Sequence, residues 1–253
     1  VVNGLARALA VPAVAVAADL LWGEPPARLH PVVWMGKLIA ALERFAPPEA
    51  RGAAPRLLYG AGMTAVAVAA FAAPAWVAER LLGRAGWPGA LALGLLLKPA
   101  FAVRALLAAT AAVGEALERD DLPGAREGLR SLVSRDTAVL PAPLLAAAAI
   151  ESVTENTADS AVAPLLWYAV GGLPGAVAYR VVNTLDAMVG YRTPRYEHLG
   201  KAAARLDDGA NLVPARLAGL LFVLAAPAAG GDAAVAWRVM RRDRRCTASP
   251  NAG

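Results

Sequence analysis

The chain has 253 residues, of which 58% are hydrophobic, with mean hydropathy +0.47, a formal charge of +5 and a pI near 9.8. A soluble fold of this length has a polar face on each helix, whereas several stretches here run apolar on all sides for about a bilayer's thickness. The basic residues cluster beside apolar runs, as at Arg238, Arg241, Arg242, Arg244 and Arg245, which fits membrane-flanking charge or phosphate binding rather than nucleic acid.

In chain order, residues 6–22 form a first apolar run that is short for a span and predicts a tilted or partly shielded helix, retained rather than cleaved as a signal. Residues 24–56 form a polar connecting segment. Within it Trp34, Leu38, Ala41, Leu42 and Phe45 recur at helical spacing, predicting an interfacial helix that stops at Pro47 and Pro48. Residues 57–77 carry no charge and are the strongest span; Pro74 near its end is tolerable in a membrane helix.

Residues 87–112 form another long apolar stretch, interrupted by Lys98 and Arg104. A lone cation in lipid is costly, so these two should face the interior, snorkel or meet an anion. Residues 113–137 are polar and read as a helical hairpin or connector in water. The apolar run 139–150 is too short to span alone. It leads into a polar stretch and then into residues 161–179, broken at Gly171, Gly172, Leu173 and Pro174. One long helix with a polar centre competes with a broken, partly re-entrant helix whose middle lines a cavity; the second is favoured, since irregular backbone at membrane depth needs protein or a cavity around it. Residues 180–216 form a third polar connecting segment with embedded short helices, and 217–235 the last span. The expectation is therefore an all-α, polytopic integral membrane protein: one domain over residues 1–253, with about four or five spans and a broken or re-entrant polar segment. Basic loops conflict on sidedness, so charge alone does not orient the chain.

Three polar constellations could carry chemistry. Glu151, Glu155 and Asp159 are four residues apart and would form one drifting acidic stripe, with Ser152 and Asn156 beside it. Like charges at that spacing repel and are costly near lipid, so a divalent cation would offset them; Mg²⁺ takes one or two carboxylates plus phosphate oxygens. The second constellation runs from Arg180, Asn183 and Asp186 through Gly190 and Arg192 to Lys201, Arg205, Asp207, Asp208, Asn211 and Arg216. Arginine forks suit carboxylates and phosphates, and lysine acts as a mobile point charge. The third holds Arg126, Arg130, Arg135 and Asp136, either an amphipathic surface helix or a phosphate clamp. Asp19, Glu24, His30 and Lys37 mark the first polar junction, where His30 before Pro31 reads as structural. The sequence has no Gly-rich loop ending in Lys-Ser or Lys-Thr, no HExxH and no GxSxG, and its one cysteine, Cys246, forms no internal disulfide.

Those residues bring a family into view. Asp19, Gly23, Glu24 and Pro25 with His30 and Pro31; Val133, Arg135, Asp136 and Thr137; Glu151, Glu155, Asn156 and Asp159; and Asn183, Asp186, Gly190 and Arg192 come in an order that resembles the CobD/CbiB family of cobalamin biosynthesis. So do Asp207, Asp208, Asn211, Pro214 and Arg216, then Arg242 and Asp243, and the terminal Ser249, Pro250, Asn251, Ala252 and Gly253. The resemblance implies a multi-pass protein of the bacterial inner membrane, an ATP-dependent amide ligase that joins aminopropanol or its O-phosphate to the propionate of adenosylcobyric acid. It implies ATP and Mg²⁺ as cofactors, corrinoid, amine and lipid bilayer as partners, and other membrane enzymes of the corrinoid pathway as neighbours. Glu151, Glu155, Asp159, Asp207 and Asp208 would be metal ligands; Glu155, Asp159, Asp186 and Lys201 catalytic. Arg130, Arg135, Arg180, Asn183, Arg192, Arg205, Asn211 and Arg216 would position phosphates, and Glu155 is chosen as general base. The family continues beyond the terminal motif, which implies a chain that stops short at its C-terminus. A membrane accessory protein of the AmpE type shares the architecture without the chemistry, and product formation separates the two.

Overall fold

A computed structural model describes residues 2–130, 132–133 and 137–243. Among them ten α-helices follow one another: α1 (Val2–Trp22), α2 (Pro31–Glu43), α3 (Ala53–Leu82), α4 (Gly86–Leu97), α5 (Val103–Glu118), α6 (Leu122–Leu129), α7 (Ala142–Thr157), α8 (Ala163–Val189), α9 (Lys201–Ala225) and α10 (Ala233–Asp243). Four helical stretches are long and apolar enough to cross a membrane: Ala53–Leu82, Gly86–Glu118, Ala142–Val189 and Lys201–Ala229. The protein is thus an all-α polytopic membrane protein, an architecture that suits the bacterial inner membrane. Leu58, 76% exposed, together with Val66, Leu95, Leu221 and Leu224, turns outward from these stretches, as hydrocarbon solvent permits. The chain divides into two compact units, one of Val1–Phe101 with Ala163–Ala210 and one of Ala102–Val162 with Asn211–Gly253.

In the first unit, small residues let helices approach closely. A Cβ at Gly94 of α4 would lie 2.6 Å from Val14 of α1, so glycine is what permits this contact. Val11, Ala15, Leu93, Leu97, Leu173 and Ala176 build one core on α1, α4 and α8. Met35, Ile39, Met63, Ala67, Val181 and Leu185 build another on α2, α3 and α8. The buried face of α2 is Met35 and Ile39, one position round from the stripe expected; Trp34 and Phe45 point outward, free to meet an interface. The expected break in α8 is present: Gly171 and Gly172 leave helical geometry, and Gly172 takes φ +64°. Beyond it the Leu173 amide donates to Glu79 Oε1 at 3.2 Å, so a carboxylate from α3 caps the half-helix that Pro174 opens.

The apolar run 87–112 divides between α4 and α5, with a 3₁₀ turn at Lys98–Ala100; Pro99 has no amide hydrogen to continue the ladder. In the second unit α5 and α6 form the expected helical hairpin, where Asp121 caps α6 through the Gly124 amide at 2.9 Å. Val113, Ala116, Ala125, Leu129, Leu145 and Ala148 pack α5, α6 and α7 together. The last span ends earlier than expected, with a 3₁₀ turn at Ala226–Ala229 and left-handed Gly230, and α10 starts afresh on an Asp232 cap. Residues 180–189 and 201–216, expected as loop with short helices, lie on α8 and α9. Their polar side chains follow one another at helical intervals, so polarity there marks a helix face rather than a loop.

Candidate functional site

The site in the first unit is built where α8 ends and α9 begins. The Gly190 amide donates to the Asp186 carbonyl at 2.7 Å, and a Cβ on Gly190 would fall 2.0 Å from Asp186 Oδ1, so this carboxylate lies against bare backbone. A Cβ on Gly200 would fall 1.7 Å from the Val189 carbonyl. Two glycines therefore let the segment between the helices fold back against the end of α8.

On the facing helices, Arg180 donates to Asn183 Oδ1 at 3.3 Å, and Asn183 Nδ2 donates to Asp207 Oδ1 at 3.4 Å. Asp207 is buried, and the buried Nε of Arg180 has no partner among the described residues. Beside this relay opens a cavity of about 260 Å³ lined by Arg192, Tyr196, Glu197, Lys201, Arg205 and Asp208. Arg205 stands 3.9 Å from Asp208. Arg192 and Lys201 make no ion pair among the described residues, so the cavity carries more positive than negative charge and suits an anion. Five residues of the expected second constellation, Gly190, Arg192, Lys201, Arg205 and Asp208, are thereby brought together. Tyr196 and Glu197, which sequence reasoning passed over, line the same space; their place between Gly190 and Lys201 was the available signal.

Other expected residues are not among those lining this cavity. Asn211 is fully buried, while exposed Arg216 folds its guanidinium back onto the Leu212 carbonyl at 2.7 Å. In the second unit Arg130 pairs with Glu127 at 2.8 Å on the surface, and Arg126 donates to the Leu140 carbonyl at 3.0 Å. Arg135 and Asp136 lie outside the described residues.

The acidic stripe is only partly regular. Glu151 and Glu155 sit on α7, but Asp159 falls within a π-helical turn, Ala158–Val162. The wider turn shifts Asp159 off the line that α-helical spacing predicts; such turns are frequent at functional sites. All three carboxylates are half-buried rather than fully solvated. Asn156 donates to the Ser152 carbonyl at 2.8 Å and reaches its hydroxyl at 3.1 Å; Asn156 and Ser160 then line a second cavity of about 220 Å³ with Leu106 and Leu132. Among the described residues no group of three or more His, Cys, Asp or Glu could hold a metal ion.

The charge inside the apolar run finds its anions. Lys98, 7% exposed, lies 3.2 Å from both Asp19 and Glu24. Glu24 also accepts from His30 Nε2 at 2.6 Å, while His30 Nδ1 accepts the Val32 amide and caps α2. His30 thus joins the Glu24 carboxylate to the start of α2, beside Pro31.

Comparison with known proteins agrees with these motifs. A family model described as "CobD/Cbib protein" matches residues 12–253. A cobalamin biosynthesis protein CobD from Geobacter metallireducens is 46% identical over 254 residues, covering 98% of this chain and 78% of that protein. CobD proteins from Rhodobacter capsulatus (46% identical; 95% of this chain, 75% of the relative) and Mycobacterium tuberculosis (44%; 93% and 72%) are similar. No solved structure matches. With a family model across nearly its whole length and identities of this size, the chain belongs to the CobD/CbiB family of cobalamin-biosynthesis proteins.

Proposed function

We propose that the protein is an ATP-dependent amide ligase that couples aminopropanol, or its O-phosphate, to the free propionate of adenosylcobyric acid. Family membership points to the pathway, and the observation that carries the chemistry is the cavity where Arg192, Lys201 and Arg205 outnumber the carboxylates of Glu197 and Asp208. A ligase of this kind handles phosphate groups on the nucleotide and on the amine substrate. Forked guanidiniums and a mobile ammonium are the side chains that hold such groups in place.

Mg²⁺ fits the donor set only as an ion shared with phosphate. The described residues offer no three-ligand protein cage, but Asp208 on the cavity wall would supply the one carboxylate such an ion needs, while Asp207, buried against Asn183, faces another side of α9. Bound there, it would neutralise charge along the phosphate chain. ATP supplies the activation that a carboxylate, a poor electrophile, needs before an amine can displace oxygen from it.

The chain's own residues do the rest. Arg192, Lys201 and Arg205 bind phosphate oxygens; Arg180 and Asn183 hold Asp207 in place through the relay across α8 and α9. Glu155, on α7 of the second unit, is assigned from its sequence motif as the base that takes the amine's proton, with Glu151 and Asp159 as candidates for metal binding and Asp159 and Asp186 for catalysis.

The test is product formation by mass spectrometry. Purified protein in lipid nanodiscs receives adenosylcobyric acid, aminopropanol phosphate, ATP and Mg²⁺. Formation of adenosylcobinamide phosphate, dependent on ATP, is the expected result; its absence defeats the proposal. The Glu155→Gln variant should lose at least about 10²-fold in rate, the scale of general base catalysis, with its thermal midpoint unchanged. Full activity in that variant removes the assigned role.

A further inference from the structure

The segment between α8 and α9 delivers Tyr191 and Arg192 to the cavity and closes on itself in turns, the Glu197 amide donating to the Thr193 carbonyl at 2.8 Å and the Gly200 amide to the Tyr196 carbonyl at 2.8 Å. Its anchors come from the other side. Arg56, in the first turn of α3, is 5% exposed, and its guanidinium donates to the Pro47 carbonyl at 2.6 Å and to the Arg195 carbonyl. From the end of α2, one oxygen of Glu43 accepts both Arg195 Nη2 at 2.6 Å and the Tyr196 hydroxyl at 2.9 Å. The backbone of α3 also presses on the segment: a Cβ on Gly60 would fall 1.9 Å from the Leu199 carbonyl. These groups border a cavity of about 300 Å³ distinct from the basic one, lined by Glu43, Pro47, Arg56, Arg195 and Leu199.

The choice of an arginine here is costly for stability alone. Arg56 makes no ion pair among the described residues, and its Nε has no hydrogen-bond partner. Well-packed apolar side chains commonly serve stability as well as a buried charge does, whereas a planar fork ties together carbonyls of two remote segments in one fixed geometry. Burial first and then the Glu43 hydrogen bond push the Tyr196 phenol above its ordinary range, in keeping with a hydroxyl that donates to a carboxylate.

We propose that Arg56 and Glu43 are positioning residues: they clamp the segment from Gly190 to Gly200 so that Arg192 is held against Lys201 and Arg205 for binding a phosphate-bearing substrate. The assignment rests on the phosphate reading of the basic cavity. Neither residue touches substrate; both act through Arg195 and Tyr196.

The experiment pairs hydrogen exchange with steady-state kinetics and with equilibrium binding of Mg²⁺-ATP and aminopropanol phosphate, on full-length protein in nanodiscs. In Arg56→Lys, an ammonium replaces the fork. Amides of residues 191–200 should exchange faster while the interiors of α2 and α3 keep their protection. KM for one phosphate-bearing substrate should rise about tenfold, the weight of one misplaced charge-assisted hydrogen bond, with kcat within about twofold. Glu43→Gln, which keeps an acceptor, should fall between this variant and wild type. Should Arg56→Lys not fold, Glu43→Gln carries the test by itself, since Glu43 is not among the residues lining the basic cavity and should give the smaller version of the same split. Faster exchange with unchanged KM and binding would reduce the clamp to a structural staple, and unchanged exchange would overturn it outright. Wild-type protein that forms no product and binds neither phosphate ligand defeats the reading of the cavity instead.

Discussion

Lys98 and Lys201 are the same side chain in opposite settings within one compact unit. Lys98 stands in an apolar run and is closed in by Asp19 and Glu24, with His30 completing the set. Lys201 opens α9, exposed, on the wall of a cavity where Arg192 and Arg205 repeat its sign. A cation at hydrocarbon depth must be neutralised by the protein itself, because neither water nor lipid tails will do it. Cations gathered on a cavity wall near water pay little for being left together, and their shared field selects an anion from outside. Internal pairing therefore neutralises Lys98 within the protein, whereas the cations around the cavity outnumber the carboxylates Glu197 and Asp208 beside them, which is the basis of the proposed anion site.

That distinction has a cost attached on each side. Lys98→Met leaves Asp19 and Glu24 without their shared cation and should destabilise the fold by about 3–5 kcal/mol, the scale for breaking a buried pair. The check is the thermal midpoint in detergent; a midpoint equal to wild type would show that the pair is not holding the fold. Arg205→Ala should do the reverse. Its partner Asp208 is 3.9 Å away at the surface, so stability should hold, while KM for a phosphate-bearing substrate rises about 10- to 100-fold.

A smaller effect sharpens the boundary between the two kinds of site. The Tyr196 phenol is held above its ordinary value of 10.0 first by burial and then by its bond to Glu43. A raised folded-state value means that the folded protein retains a proton which the unfolded chain has lost. The stability this supplies is complete below pH 10 and disappears as pH rises through the folded value. Thermal midpoints measured across that alkaline window should fall more steeply for wild type than for Tyr196→Phe. The variant itself should lose about 1 kcal/mol at neutral pH, one hydrogen bond's worth. Parallel slopes would detach Tyr196 from the Glu43 clamp.

The membrane spans were legible because hydropathy over a span length is a local property: residues 57–77 declare themselves without reference to any neighbour. The break at Gly171 and Gly172 was legible for the same kind of reason, since a glycine pair beside a proline weakens a helix wherever it falls. The need of Lys98 for an anion could be read, but not the identity of its partners, which come from a helix and a junction far earlier in the chain. Asp159 was misplaced on its helix because spacing arguments assume a constant turn, and the turn at 158–162 is wider. Arg56 and Glu43 were missed entirely. On the chain they look like ordinary flanking charges beside Pro47 and Pro48, and only the return of Arg195 and Tyr196 gives them work.

By itself, then, the order of residues determined what each stretch could be. Apolar length made spans, glycine and proline made breaks, and the run of motifs named the family, all through interactions between neighbours along the chain. Which charges share a space was decided only by folding. The chain turns back on itself at Gly190 and Gly200 to set Arg192 beside Lys201 and Arg205, while α1 and α4 close to set Asp19 beside Lys98. Electrostatic energy depends on distance through space, and that distance is absent from the linear chain until the helices pack.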